Sequence, residues 1–241
     1  MSGENAGQSL YDELTKYLQE LVRIDTSNPP GGEIAACEYL KEKLAAEGIE
    51  SEIYESEPGR GSIVARIKGD GSKKPLLLTG HIDVVPAEAE QWKHAPFCGD
   101  IIDDCVWGRG SLDCKNQVAV ELQIMLELKR RGTKLKRDVV FLAVADEEQS
   151  GNLGMGFMVE NHYDKFACEY SINEGGGVGL PMGGKFVYTV QTAEKGVGWY
   201  KISTRGSSGH GSVPKADNAV VKLGRAMMRL SHPQPVHKIP V

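Results

Sequence analysis

The sequence has no apolar run long enough to cross a bilayer. The longest unbroken stretch is Val139-Val140-Phe141-Leu142-Ala143-Val144-Ala145, against the roughly 20 residues that a spanning helix needs. The start, Met1-Ser2-Gly3-Glu4-Asn5, has neither the basic flank nor the apolar centre of a secretory leader, so none is expected. Excess positive charge is missing too. With 28 Lys+Arg against 33 Asp+Glu the formal charge is −5, which argues against a nucleic-acid partner, because such proteins usually present a basic face. Nor is there a disulfide framework. Cys37, Cys98, Cys105, Cys114 and Cys168 are odd in number, scattered, and form no CxxC pair, as expected of reduced thiols in a cytoplasmic protein. No internal repeat or low-complexity tract occurs. What is present is a globular composition: 241 residues, 40% hydrophobic and 25% charged, with enough apolar material for a core and a length between one and two domains.

The pattern along the chain alternates helix and strand. Leu10, Leu14, Tyr17, Leu18 and Leu21 recur at helical spacing, and Asn28-Pro29-Pro30-Gly31-Gly32 ends that helix. A second helix from about Glu33 carries Cys37, Leu40 and Leu44 on one face and stops at Gly48. Strands are predicted over 51–56, 62–67 and 75–79, with Gly69-Asp70-Gly71-Ser72 suited to a hairpin or tight turn between the last two. Residues 81–115 read mostly as loop. A helix follows over 117–130, and 139–145 reads as a strand buried on both faces. Further expectations are a helix over 152–161, a strand over 169–172, and a flexible segment bracketed by Gly175-Gly176-Gly177 and Gly183-Gly184. Strands over 186–192 and 198–204 and a helix over 216–230 complete the reading. Such alternation implies a layered α/β sheet.

Acidic residues and a histidine collect at strand ends. His81 and Asp83 directly follow the apolar Leu76-Leu77-Leu78-Thr79-Gly80, a spacing that puts an imidazole beside a carboxylate able to fix its tautomer, as metal sites commonly require. Asp146-Glu147-Glu148 closes the buried strand. Three carboxylates there repel one another and lose hydration, and a metal dication is the usual compensation. Two adjacent Glu can divide the work, one binding metal and the other acting as general base. Asp113 sits in a glycine-rich turn into the helix over 117–130, near its positive end. Glu174 ends the strand over 169–172. Three strands therefore deliver His81, Glu147/Glu148 and Glu174 from their C-terminal ends, the edge where open α/β sheets bind ligands.

Gly80-His81-Ile82-Asp83-Val84-Val85-Pro86, Gly108-Arg109-Gly110-Ser111-Leu112-Asp113-Cys114-Lys115, Asp146-Glu147-Glu148 and Asn173-Glu174-Gly175-Gly176 together resemble the ordered motifs of the M20 metallopeptidase family. That family includes aminoacylases, acetylornithine deacetylases, succinyl-diaminopimelate desuccinylases and glutamate carboxypeptidases. The resemblance implies two zinc ions, with cobalt or manganese as substitutes. His81, Asp113 and Glu174 would hold the first; Asp113 would bridge to the second, which Glu148 also binds. It further implies Glu147 as general base, Asp83 as the group orienting His81, and a cis peptide after the bridging aspartate. Ser208-Gly209-His210-Gly211-Ser212 resembles the histidine segment of the family's lid domain. His210 is thus implied as an oxyanion stabiliser that reaches a partner's site in a homodimer formed through the lid.

The implied fold class is α/β: a zinc-peptidase-like layered catalytic domain with helices on a mixed sheet, followed by the start of an inserted α/β lid or dimerisation domain. Residues 1–195 would be an incomplete catalytic domain and 196–241 the beginning of the lid. The family's last metal ligand is a histidine near the end of a longer chain, a role that His232 and His237 do not fit, so the sequence is expected to be the N-terminal part of a longer enzyme. The implied activity is zinc-dependent cleavage of an amide bond in a short peptide or N-acyl amino acid. The alternative is a truncated, non-catalytic homologue that binds at most one metal ion. A dinuclear phosphoesterase would use the same residue types, but Asp146-Glu147-Glu148 and Asn173-Glu174-Gly175 favour amide hydrolysis.

Overall fold

The run at 139–145 becomes the centre of the molecule. A computed structural model describes residues 3–175, 179–188, 198, 200–213 and 215–231, and the chain divides into two units, residues 1–176 and 177–241. In the first unit, β6 (Val139–Val144) is buried along its whole length. It lies third in a five-stranded sheet of order β1-β2-β6-β3-β7, whose other strands are β1 (Ser51–Glu57), β2 (Arg60–Ile67), β3 (Leu76–His81) and β7 (Tyr170–Ile172). The β1–β2 and β2–β6 pairings are antiparallel, whereas β3 runs parallel to both β6 and β7. The sheet is mixed, as the sequence implied.

Side chains of β6 alternate between two cores, as a period of two requires. Val139, Phe141 and Ala143 face α1 (Gly3–Arg23), α2 (Ile34–Ala46) and α3 (Lys115–Arg130), packing with Leu21, Leu40, Leu44, Val118, Leu122 and Met125. Val140, Leu142 and Val144 face Met158 and Phe166 on the opposite side, where a π-helical turn (Asn152–Gly156) leads into the short α4 (Phe157–His162). Gly80 lets α3 lie close on β3: a Cβ there would stand 3.1 Å from Val118 Cγ2 and 3.3 Å from Cys114 Sγ. No helix of the described residues is long and apolar enough to cross a membrane.

Several local expectations change. Residues 69–72 do not form a hairpin, because β6 inserts between β2 and β3. The hairpin of this region is β1–β2, turning where Glu57 pairs with Arg60. Within the stretch read as loop, β4 (Ile101–Ile102) and β5 (Cys105–Val106) form a small hairpin. Its two-residue turn, Asp103-Asp104, takes positive φ at both positions (51° and 60°), the backbone form that matches strand twist. The expected helix over 152–161 is a π-turn joined to α4.

In the second unit, the segment expected to be flexible between the two glycine clusters contains β8 (Gly179–Met182), which pairs antiparallel with β9 (Lys185–Tyr188) across a turn at Gly183-Gly184. The rest of the strand expected over 186–192 lies outside the described residues. The strand expected over 198–204 is irregular where described; a strand exists by pairing, and none of the described strands pairs with it. The final helix, α5 (Ala219–Leu230), starts three residues later than expected because Asn218 caps it, its Oδ1 accepting from the backbone N–H groups of Val220 and Val221.

The α3–β3 contact buries one acid. Glu121 is 2% exposed; its Oε1 accepts from Gln117 Nε2 at 3.0 Å, and among the described residues its Oε2 has no hydrogen-bond partner. Burial pushes its carboxyl from 4.5 up to about 7. Because the folded state holds this proton more tightly than the unfolded chain, the cost of burying Glu121 is absent below pH 4.5 and complete above about 7. Its contribution to stability therefore falls as pH rises through that window. Glu121→Gln is expected to stabilise the protein by about 2–3 kcal/mol at alkaline pH, with the difference from wild type vanishing toward pH 4.5. Urea unfolding across that range checks it, and a difference independent of pH would contradict the assignment.

Candidate metal centre

Because β3, β6 and β7 run parallel, their C-terminal ends share one edge of the sheet. His81 is the last residue of β3, in register with Val144 of β6. Glu147 and Glu148 follow β6, and Glu174 follows β7 by two positions. Asp113 arrives from a different direction, just ahead of α3, through a cis peptide to Cys114. The helix begins at Lys115 with Cys114 in the N-cap position, so Asp113 is not its cap; its side chain is 71% exposed and turned to His81.

The imidazole of His81 is buried, and its Nε2 lies 3.0 Å from Asp113 Oδ1, 3.4 Å from Glu174 Oε2 and 3.8 Å from Glu147 Oε2. Two trios, His81/Asp113/Glu148 and His81/Cys114/Glu174, each place their ligand atoms within 4.8 Å of one another. Nitrogen and carboxylate oxygens so disposed are a donor set suited to zinc. The electrostatics agree. Burial opposes charge on His81, but Asp83 outweighs it and pushes its pKa up to about 12, so the pocket favours positive charge. Burial also raises Glu147 and Glu148, and neighbouring carboxylates add to it: Glu174, Asp83 and Asp113 for Glu147, and chiefly Asp113 for Glu148.

Asp83 does more than stand beside His81. Nδ1 of the ring meets the backbone carbonyl of Asp83 at 2.9 Å and its carboxylate at 3.4 Å. The carboxylate oxygens accept instead from the backbone N–H groups of Glu147 at 3.0 Å and Glu148 at 3.1 Å. Asp146 departs from expectation. It does not join Glu147 and Glu148 in facing a cation; at φ 66° it turns inward, where Arg60 Nη2 and Asn28 Nδ2 donate to its Oδ1. Part of the repulsion expected among three adjacent carboxylates is thus removed by an arginine.

Four residues of this region have roles that the sequence does not single out. Asn28 belongs to a segment that reads only as a helix breaker, Glu33 only as the start of the helix after it, and Arg60 only as one charge of the polar turn Glu57-Pro58-Gly59-Arg60-Gly61-Ser62. Lys115 is fully buried. Its Nζ donates to the carbonyls of Leu21 (3.0 Å) and Ile24 (2.7 Å), which ties the residue after the Asp113–Cys114 peptide to the end of α1. His210 belongs to the second unit, where it is exposed and its Nδ1 lies 2.7 Å from Ser212 Oγ. His232 and His237 lie outside the described residues.

Cys114 sits among the candidate ligands, yet its sulfur is already engaged: His81 N–H donates to Sγ at 3.2 Å, and the thiol donates back to His81 O at 3.4 Å. Burial raises its pKa, which suppresses the reactive thiolate. In a brief alkylation pulse on the native protein, the exposed Cys105 is expected to be modified first, and Cys37 and Cys114 only on unfolding. Peptide mapping by mass spectrometry reads this out; modification of Cys114 at the rate of Cys105 would contradict its placement.

The chain is similar to known proteins in sequence and in fold. The chain is 36% identical over 187 residues to a probable carboxypeptidase S-like 2 of Dictyostelium discoideum, covering 74% of this chain and 36% of that protein. It is 29% identical over 213 residues to aminoacylase-1 of Sus scrofa, covering 87% and 51% respectively. The chain thus spans about a third to a half of the length of these relatives. Among solved structures, the M20 family metallo-carboxypeptidase Sso-CP2 of Sulfolobus solfataricus superposes with a TM-score of 0.61 at 27% identity, over 69% of this chain and 38% of that one. The model for peptidase family M20/M25/M40 matches residues 77–236, a span that includes His81, Asp113, Glu147, Glu148 and Glu174, and the chain belongs to that family.

Proposed function

We propose that this chain carries the metal centre and general base of a zinc-dependent hydrolase that cleaves the amide bond of a short peptide or an N-acyl amino acid. The observation that carries this reading is the convergence of Asp113, Glu147 and Glu174, from three separate segments, on the buried Nε2 of His81. The names of the relatives, a carboxypeptidase and an aminoacylase, support an amide as the bond cleaved.

In this reading His81, Asp113 and Glu174 hold one zinc, and Asp113 and Glu148 contribute to a second; cobalt or manganese would serve in their place. Bound there, the two ions would supply Lewis acidity for the substrate carbonyl and make a water acidic enough to ionise at neutral pH. Glu147 is half exposed and belongs to neither trio of candidate ligands, so its carboxylate is available to accept the water's proton and return it to the leaving amine. Asp83 orients His81 and holds the backbone from which Glu147 and Glu148 project. His210 would donate to the developing oxyanion of a partner's site. Residues 1–195 would form the catalytic part, and residues 196–241 would begin a lid through which two copies pair. Five free cysteines suit a cytoplasmic setting.

Glu147→Gln in the whole protein tests the base. Turnover of N-acetylmethionine and of a dipeptide is expected to drop by about 10²–10⁴-fold, while bound zinc, measured by elemental analysis, stays at the wild-type level. Activity retained in this variant would contradict the role of Glu147. A wild-type protein holding at most one ion would favour a non-catalytic homologue.

A further inference from the structure

We infer that Arg60 is a positioning residue for the catalytic carboxylates, the hub of a buried hydrogen-bonded relay that ends on the backbone of Glu147 and Glu148. This rests on the metal-hydrolase reading above and adds residues far from it in sequence. The relay begins at Glu33, just ahead of α2, whose carboxylate takes two bonds from Arg60, Nε to Oε2 and Nη2 to Oε1, both at 2.8 Å. The same Nη2 reaches Asp146 Oδ1 at 3.0 Å. Asn28 Nδ2 then links Asp146 Oδ1 (3.1 Å) to Asp83 Oδ2 (2.8 Å). Asp83 closes the relay by accepting from the N–H groups of Glu147 and Glu148.

Every side chain in this path is buried, where an incomplete polar network is costly and a complete one rigid. A planar guanidinium can grip one carboxylate with two bonds and reach a second; an ammonium cannot reproduce that fork. The backbone is shaped to admit it. Gly31 has φ +91°, and a Cβ there would stand 2.2 Å from Arg60 Nε. The Asn28–Gly31 segment is therefore part of the apparatus as well as a helix stop. Its amide joins two carboxylates, its glycine makes room for Arg60, and the Pro30 carbonyl accepts from Arg60 Nη1 at 3.3 Å. Apolar residues would fill such a space without the cost of burying charge. What this network adds is direction: it holds Asp146 turned inward at φ 66° and fixes the two peptides from which Glu147 and Glu148 project. His81, Asp113 and Glu174 take no bond from Arg60, Asn28 or Glu33, and Asp83 meets the His81 ring most closely through its backbone carbonyl, at 2.9 Å from Nδ1, rather than through the carboxylate in the relay.

This asymmetry gives a test that a purely structural role would not pass. Cobalt(II) is titrated into the metal-free whole protein and followed by visible absorption, with near-ultraviolet circular dichroism as the check on folding. In Arg60→Met/Glu33→Gln, which removes both charges of the pair, the cobalt site that depends on Glu148 is expected to weaken by about 10–100-fold, while the other keeps its affinity. Arg60→Lys should recover part of the loss. Asn28→Ala, which cuts the relay without touching Arg60, should reproduce the selective loss, and it decides the matter alone should the double variant not fold. Equal weakening of both sites, or wild-type titrations in folded variants, would overturn the inference. A wild-type protein that binds no cobalt would instead overturn the metal-hydrolase reading, and this inference with it.

Discussion

Carboxylates crowded at the rim of a buried sheet repel one another, and the first unit is organised around containing that repulsion. Five acidic residues, Asp83, Asp113, Glu147, Glu148 and Glu174, stand around a single imidazole that the sheet has removed from water. Coulomb repulsion in such a place is poorly screened. One of the five is satisfied apart from the rest. Asp83 is bonded to peptide N–H groups and to Asn28. The remaining four face His81 or one another, and their joint field favours a cation.

The fold supplies the direction of approach. Parallel pairing of β3 with β6 and β7 brings three chain ends to one edge, and α3, pressed against β3 over Gly80, delivers Asp113 from the side. On the far side of Asp83, the Glu33–Arg60–Asp146 cluster holds the turn after β6. This division separates the groups that would bind metal from the groups that hold them. Lys115, anchored to the end of α1, plays the second part for the Asp113–Cys114 peptide.

Much of this was legible in the sequence because it is written in local patterns. The apolar run at 139–145 announces a doubly covered strand, and the acidic and histidine residues at strand ends announce the candidate site. What was not legible depends on tertiary pairing. The order of β2, β6 and β3 cannot be read from adjacency, so residues 69–72 pass for a hairpin. Asp146, Glu147 and Glu148 look equivalent in a row, and only a left-handed backbone at Asp146 distinguishes the one that turns inward. Arg60, Asn28 and Glu33 acquire meaning only when residues 27 to 118 positions away are brought within bonding distance. Asp103-Asp104 lacks the glycine that usually marks such a turn, so β4–β5 leaves no mark in the sequence.

In the proposed centre, His81 and carboxylate oxygens, rather than the Cys114 sulfur, form the first metal position. Zinc K-edge X-ray absorption on the protein loaded with one equivalent of zinc tests this directly. The expected result is a shell of nitrogen and oxygen at about 2.0–2.2 Å, with imidazole scattering that disappears in His81→Ala. A sulfur shell at about 2.3 Å, or a spectrum unchanged by loss of His81, would contradict it.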